Sequence, residues 1–154
     1  MEEKLLFRNA TKEDLFDITV IEREGFSDNW SYESFNSCLT NPFCETMGAF
    51  LDDKIIAYGI LMHMYEQGEI VKICVSPDYK RRGVGYELLR RMLLVAEDEG
   101  VEKVFLDVRE SNDAAIKLYE KTGFLKYDTT RDFYSNPTEA SIKMRFNFTE
   151  NDNA

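Results

Sequence analysis

The sequence predicts an α/β domain: one sheet of mixed strand direction with helices on both of its faces. Three observations predict it. Apolar periodicity switches between twofold and 3.6-fold along the chain, in the order β-α-α-β-β-β-α-β-α-β-β. The stretch Val71-Lys72-Ile73-Cys74-Val75-Ser76-Pro77-Asp78-Tyr79-Lys80-Arg81-Arg82-Gly83-Val84-Gly85 reads as a strand, a tight connection and the first turn of a helix. A further strand follows at residues 103–108, so the unit 71–108 is expected to be a right-handed parallel crossover. At 154 residues the chain is read as a single domain, long enough to bury a core.

Each element has a local reason. Residues 4–9 form a short first strand. Thr11 resembles a helix N-cap, with Glu13 and Asp14 in the first turn, and Leu15, Ile18, Val20, Ile21 and Glu22 carry that helix towards Gly25. Ser31 caps a second short helix through Phe35 and Leu39, which Asn41-Pro42 ends. Residues 45–51 and 54–65 read as strands joined at Asp52-Asp53, a hairpin turn. Gln67-Gly68 turns the chain into the central strand, 71–75, which is β-branched at three of five positions. Pro77 lacks an N–H and ends it. Val84, Leu88, Leu89, Met92, Leu93 and Ala96 then mark one face of the main helix, about 83–99, stopped at Gly100. After the strand at 103–108, Ser111 or Asn112 caps a short helix that stops at Gly123. Residues 124–134 and 140–148 read as a final antiparallel pair, and the polar tail 149–154 is expected to fray.

Composition excludes several classes. Apolar residues make up 44% and charged residues 31%, the balance of a soluble globular domain. No apolar run approaches the roughly 18 residues of a membrane span. Met1-Glu2-Glu3-Lys4 lacks the basic-then-apolar pattern of a signal peptide, so a cytoplasmic location is expected. Cys38, Cys44 and Cys74 have neither disulfide-framework nor zinc-site spacing and are expected to be reduced, mostly buried thiols; no metal is expected. His63 is the only histidine and sits in an apolar run, where a structural role is expected. The net charge of −10 argues against nucleic acid and favours a basic partner, such as an amine or a basic protein.

Lys80, Arg81 and Arg82 precede Gly83 and Gly85 at a helix start. Glycines there let an anion approach free N–H groups at the positive end of the helix dipole. A pyrophosphate pocket and an exposed basic turn both fit the pattern. A Walker loop does not match, and the dinucleotide fingerprint would need glycine at Leu88. The aromatic pair Phe26 and Trp30, between the first two helices, fits either a packing anchor or the wall of an entry groove.

Three ordered motifs carry a resemblance to a known family. Lys80-Arg81-Arg82-Gly83-Val84-Gly85 resembles the Gln/Arg-x-x-Gly-x-Gly/Ala acyl-coenzyme A loop of the GNAT acetyltransferases, with Lys80 departing at the first position. Leu106-Asp107-Val108-Arg109-Glu110-Ser111-Asn112-Asp113-Ala114-Ala115 is similar to the family's Leu-Glu-Val-Arg-x-Ser-Asn-x-x-Ala. Leu118-Tyr119-Glu120-Lys121-Thr122-Gly123-Phe124 is similar to the Leu-Tyr-x-x-x-Gly-Phe that follows it. The subgroup most resembled is the RimI-type ribosomal-protein-alanine N-acetyltransferases. Phe26 to Ser31 resembles its Phe-x-x-x-Trp-Ser loop, and Arg131-Asp132-Phe133-Tyr134 its Arg-x-Tyr-Tyr segment.

The resemblance implies a mostly antiparallel sheet with a central splayed parallel pair. It implies acetyl-CoA as cosubstrate, with the pyrophosphate on Lys80, Arg81, Arg82, Gly83, Val84 and Gly85. The thioester arm would run beside Lys72, Ile73, Cys74 and Val75, with backbone N–H groups near Cys74 polarising the carbonyl. Asn112 would touch the pantetheine, cap its own helix, or both. The base position is Asp107, one methylene shorter than the family's glutamate, which favours a bridging water; Glu69 is a second candidate. As a bland alternative, Asp107 pairs with Arg109 or a loop N–H. Tyr119 stands at the acid position, where a phenol can protonate a leaving thiolate. Phe26, Trp30, Arg131 and Tyr134 would face the acceptor. The implied acceptor is the N-terminal amine of a protein, ribosomal and basic. A peptide α-amine, with a pKa of about 7.7–8.0, needs only a modest base. A small amine or lysine side chain is the alternative, and a non-catalytic acyl-CoA-binding module a third reading. No nucleic acid or membrane partner is expected, and the protein is expected to be a monomer or homodimer.

Overall fold

The computed structural model describes residues 4–26 and 29–149. Its strands are β1 (Leu5–Asn9), β2 (Cys44–Leu51), β3 (Lys54–Met64), β4 (Gln67–Val75), β5 (Lys103–Arg109), β6 (Leu125–Tyr134) and β7 (Glu139–Asn147). Its helices are α1 (Leu15–Gly25), α2 (Tyr32–Thr40), α3 (Val84–Asp98) and α4 (Asp113–Thr122). Short 3-10 turns at Lys12–Asp14 and Pro77–Tyr79 lead into α1 and towards α3.

The seven strands form one sheet in the order β1-β2-β3-β4-β5-β7-β6. Every neighbouring pair is antiparallel except β4 and β5. That parallel pair follows from the crossover through α3, as the sequence predicts. It is very short: Gln67, Gly68 and Glu69 pair with Lys103, Val104 and Phe105. Beyond Glu69 the two strands diverge, although β4 runs on to Val75 and β5 to Arg109. The expected splay is therefore present, with its apex at Glu69 and Phe105.

The central strand differs from expectation at its start. It begins at Gln67, not residue 71. The turn lies earlier, at Tyr65-Glu66, where Tyr65 takes a φ of 55°. The β-branching that marked 71–75 is absent from the first part of β4, whose extended backbone is fixed by pairing with β3 and β5. A register shift between Ile60 and Leu61 leaves Val71 unopposed, a bulge that bends β4 just past the apex.

Two cores flank the sheet. Under α3 and α4 lie Val84, Leu88, Leu89, Met92, Leu93 and Ala96, the periodic face read from the sequence, against Leu61, Ile70, Val104, Leu106 and Val108. Under α1 and α2 lie Leu15, Ile18, Ile21 and Phe35 against Phe50, Tyr58, Ile60 and Cys74. Side chains alternate along a strand, so β4 and β5 contribute to both faces. The tail expected to fray lies, from residue 150 on, outside the described residues.

Candidate active site

The gap between β4 and β5 has a backbone edge. Ser76 donates its N–H to the Ile56 carbonyl at 2.7 Å, and the register pairs Val75, Cys74, Ile73 and Lys72 with Ala57, Tyr58, Gly59 and Ile60. Antiparallel pairs alternate between hydrogen-bonded and open. The amides of Cys74 and Lys72 are thus spent on β3, and those of Ile73 and Val75 face the gap. The N–H groups near Cys74 that face the gap are those of its two neighbours. Cys74 is buried, its thiol 3.8 Å from the Ile21 carbonyl, and burial together with Glu22 pushes it up to about 11. Burial of this kind favours the thiol over the thiolate at neutral pH.

The α3 side of the gap carries an open anion cradle. Arg81 and Gly83 take positive φ of 65° and 80°, turning the chain sharply into α3. Gly83 is the N-cap, no side chain caps the helix, and a Cβ at Gly83 would meet nothing within 4 Å. First-turn amides lack intrahelical acceptors, so the end of α3 is uncapped and unobstructed. A Cβ at Gly85 would lie 3.4 Å from Val75 and 3.6 Å from Leu118, so α3 starts in contact with both β4 and α4. Lys80, Arg81 and Arg82 are exposed and form no salt bridge among the described residues; Arg82 stacks over Tyr79 at 5.2 Å. These residues fit a diphosphate and an extended acyl arm.

Tyr119 enters from α4 on the same side. It is 7% exposed and packs edge-on against Phe124. Burial, then Tyr134 and Cys74, hold its hydroxyl well above the ordinary phenol range, so it remains a proton donor at neutral pH. Asn112 accepts a hydrogen bond from the Ala115 N–H at 3.1 Å and caps α4.

The other face of the sheet carries carboxylates. Asp107 Oδ1 accepts hydrogen bonds from the Ser141 hydroxyl at 2.7 Å and the Lys143 ammonium at 2.6 Å. Both contacts use Oδ1. Arg109, a partner in the bland alternative, pairs instead with Glu139 and the Pro137 and Ser135 carbonyls. Asp107 raises Lys143 in turn, chiefly through their hydrogen bond. Glu69, at the apex, is pushed above the ordinary carboxylate range by desolvation and then by Asp107. Glu69 also borders a shallow groove of about 240 Å³ with Phe43, Met62, His63, Met64 and Phe105. His63 Nε2 lies 3.5 Å from the Glu45 carboxylate. Tyr134 is raised by burial and by Asp107, and it hydrogen-bonds Ser141, so Tyr134, Ser141, Asp107 and Lys143 form one polar cluster.

Two walls rise beside this face. On one, Phe26 and Trp30 cover the Lys72 ammonium at 4.2 and 5.3 Å from their ring centres. Lys72 is paired with Glu22 at 2.9 Å, so the structure places its side chain away from the acyl-arm edge. On the other, Arg109 donates to the Pro137 and Ser135 carbonyls, at 2.9 and 2.8 Å, and pairs with Glu139 at 3.2 Å under the Tyr134 ring. It staples the β6–β7 connection to the end of β5. Arg131 sits exposed where β6 loses register, between Thr130 and Tyr134.

No site role is legible in the sequence for Ser141 or Lys143, and Glu22 figures there only among the residues that carry the first helix. Glu22 did leave a signal: it lies four residues from Ile18 on the apolar face of a helix, an unusual place for a carboxylate. Ser141 and Lys143 left none, since their roles exist only through Asp107, 34 and 36 residues away.

Among the described residues no cluster of His, Cys, Asp or Glu could hold a metal, and no helix is long and apolar enough to cross a membrane. A ribosomal protein bS18-alanine N-acetyltransferase of Salmonella typhimurium is 39% identical over 83 residues, 54% of this chain and 56% of that protein. An N-alpha-acetyltransferase of Saccharolobus solfataricus is 28% identical over 90% of each chain. The crystal structure of the ribosomal-protein-S18-alanine N-acetyltransferase from Escherichia coli superposes with a TM-score of 0.86 at 29% identity, covering 94% of both chains. The model of the acetyltransferase (GNAT) family matches residues 10–124, and with this glycine-led helix start and splayed strand pair the chain belongs to that family.

Proposed function

We propose that the protein moves the acetyl group of acetyl-CoA to the N-terminal α-amine of a protein, by direct transfer in a ternary complex, and that the acceptor is a ribosomal protein. One observation carries the reading: the gap between β4 and β5 has two carboxylates on one face and a phenol on the other. Glu69 and Asp107 stand with the α1/α2 side and Tyr119 with the α4 side.

Acetyl-CoA supplies the acetyl group as a thioester. The amides of Ile73 and Val75 hold its arm as an added strand and draw charge from the carbonyl. Lys80 to Gly85 hold the diphosphate on the first turn of α3. Glu69, with Asp107 beside it, holds a water that accepts the proton lost by the attacking amine. Tyr119 delivers a proton to the departing thiolate and recovers it from solvent. Phe26, Trp30, Tyr134 and Arg131 line the approach of the acceptor. The relatives' designations support an N-terminal amine over a lysine side chain, whose pKa of about 10.4 would demand a stronger base. The net charge of −10 supports a basic acceptor, and a ribosomal substrate would place the enzyme in the cytoplasm.

The test is incubation with acetyl-CoA and a panel of N-terminal peptides, including those of ribosomal proteins, read by mass spectrometry. The expected result is a mass gain of one acetyl group on the α-amine. Thiol release with small amines or lysine peptides alone would overturn the acceptor assignment. Acetyl-CoA binding without turnover would overturn the enzymatic reading.

A further inference from the structure

We infer that Glu22 is a positioning residue for the acceptor: through Lys72 it fixes Phe26 and Trp30 relative to the strand that borders the transfer point. The inference rests on reading Phe26 and Trp30 as one wall of the acceptor approach.

Glu22 is fully buried, at 0% exposure. Its Oε2 accepts from the Trp30 backbone N–H at 2.7 Å and pairs with the Lys72 ammonium at 2.9 Å, and its Oε1 accepts from the Tyr58 hydroxyl. Those donors come from three different segments: the residues after α1, strand β4 and strand β3. With both oxygens engaged, Glu22 is no base. Lys72 is in turn closed over by the rings of Phe26 and Trp30. Trp30 packs on Phe35 and Phe35 on Tyr58, so the aromatic cluster returns to the Glu22 partner.

A buried ion pair is a poor way to gain stability, because desolvation offsets most of the Coulomb attraction. An apolar pair would fill the same space. What the pair adds is direction: three hydrogen bonds and two ring contacts admit one placement of Phe26 and Trp30. Lys72 lies on β4 between the bulge at Val71 and the outward amides of Ile73 and Val75. The acceptor wall is thereby referenced to the edge that holds the thioester.

The experiment compares wild type, Glu22→Gln, Lys72→Met and the double variant, in steady-state acetylation of an N-terminal peptide. Acrylamide quenching of Trp30, the single tryptophan, follows the wall directly. For Glu22→Gln the peptide KM should rise about tenfold or more, on the scale that misplaced substrate costs. The acetyl-CoA KM and kcat at saturating peptide should hold, and Trp30 quenching should increase. The double variant should regain melting temperature relative to Lys72→Met while keeping the raised peptide KM. Unchanged peptide KM and quenching in Glu22→Gln would overturn the inference. So would a parallel loss in kcat and both KM values, which marks a plain folding role. If wild type acetylates no N-terminal peptide, the functional proposal falls and takes this inference with it; if wild type is active and the variants match it, the inference alone falls.

Discussion

Along the edge of the gap and at the start of α3, contacts are offered mainly by backbone: the amides of Ile73 and Val75, the uncapped first turn of α3 and the open space over Gly83. On the α1/α2 side they are offered by side chains held through long-range pairs: Glu22 with Lys72, Asp107 with Lys143 and Ser141, Arg109 with the carbonyls before β7. Under the proposed function, the difference matches what each side recognises. A diphosphate and an amide-rich arm can be held by main-chain groups. An acceptor that differs from enzyme to enzyme needs side chains, which change without disturbing the sheet.

The largest effect should come from the proton donor. Tyr119→Phe keeps the packing against Phe124 and removes the hydroxyl. It should lower kcat by about 10²–10⁴, with the acetyl-CoA KM little changed, in initial-rate assays. An unaffected kcat would break the assignment of donor chemistry to the α4 side. Glu69→Gln should cost less, about ten- to a hundredfold in kcat, because Asp107 still holds the water. Since Glu69 titrates above the ordinary carboxylate range, the acid limb of the wild-type pH–rate profile should lie above that range. The sign for stability is opposite. A raised carboxylate favours the folded state below its unfolded pKa, and that advantage is lost as pH rises through the folded value. Glu69→Gln should therefore leave the neutral-pH melting temperature unchanged or higher, a calorimetric check that separates a catalytic from a structural acid.

Gly83→Val tests the backbone side. At a φ of 80° a β-branched residue costs about 1–2 kcal/mol. The acetyl-CoA KM should rise by roughly 5–30-fold, with the peptide KM untouched. A change in peptide KM instead would erase the division between the two sides. The smallest effect belongs to Asn112→Ala. Losing the α4 cap should lower the melting temperature by about 2–4 °C, for a loss near 1 kcal/mol. A rise in acetyl-CoA KM in that variant would show that Asn112 also touches the arm.

The same contrast explains what the sequence disclosed. Gly83, Gly85 and the basic residues before them are contiguous, and their geometry is local, so their arrangement could be read directly. The core face of α3 was equally legible, since Val84, Leu88, Leu89, Met92, Leu93 and Ala96 repeat with the helix. The start of β4 was not, because Gln67 and Glu69 are extended through their partners and not through their own preferences. The ion pair of Lys72 with Glu22 joins residues far apart in the chain, so no local pattern announces it.

Three residue pairs are all that joins β4 to β5, yet that seam runs through the middle of a seven-stranded sheet. Without a bound ligand, the amide protons of Ile73 and Val75 should exchange with solvent quickly while those of Cys74 exchange slowly, an alternation along a single strand. A molecule that lies in the seam repairs it. Saturation at 100 times its dissociation constant would tighten the fold by about 2.7 kcal/mol. The enzyme would then be most robust when loaded and loosest just after product leaves, so that its mechanical weak point and its entrance are the same place.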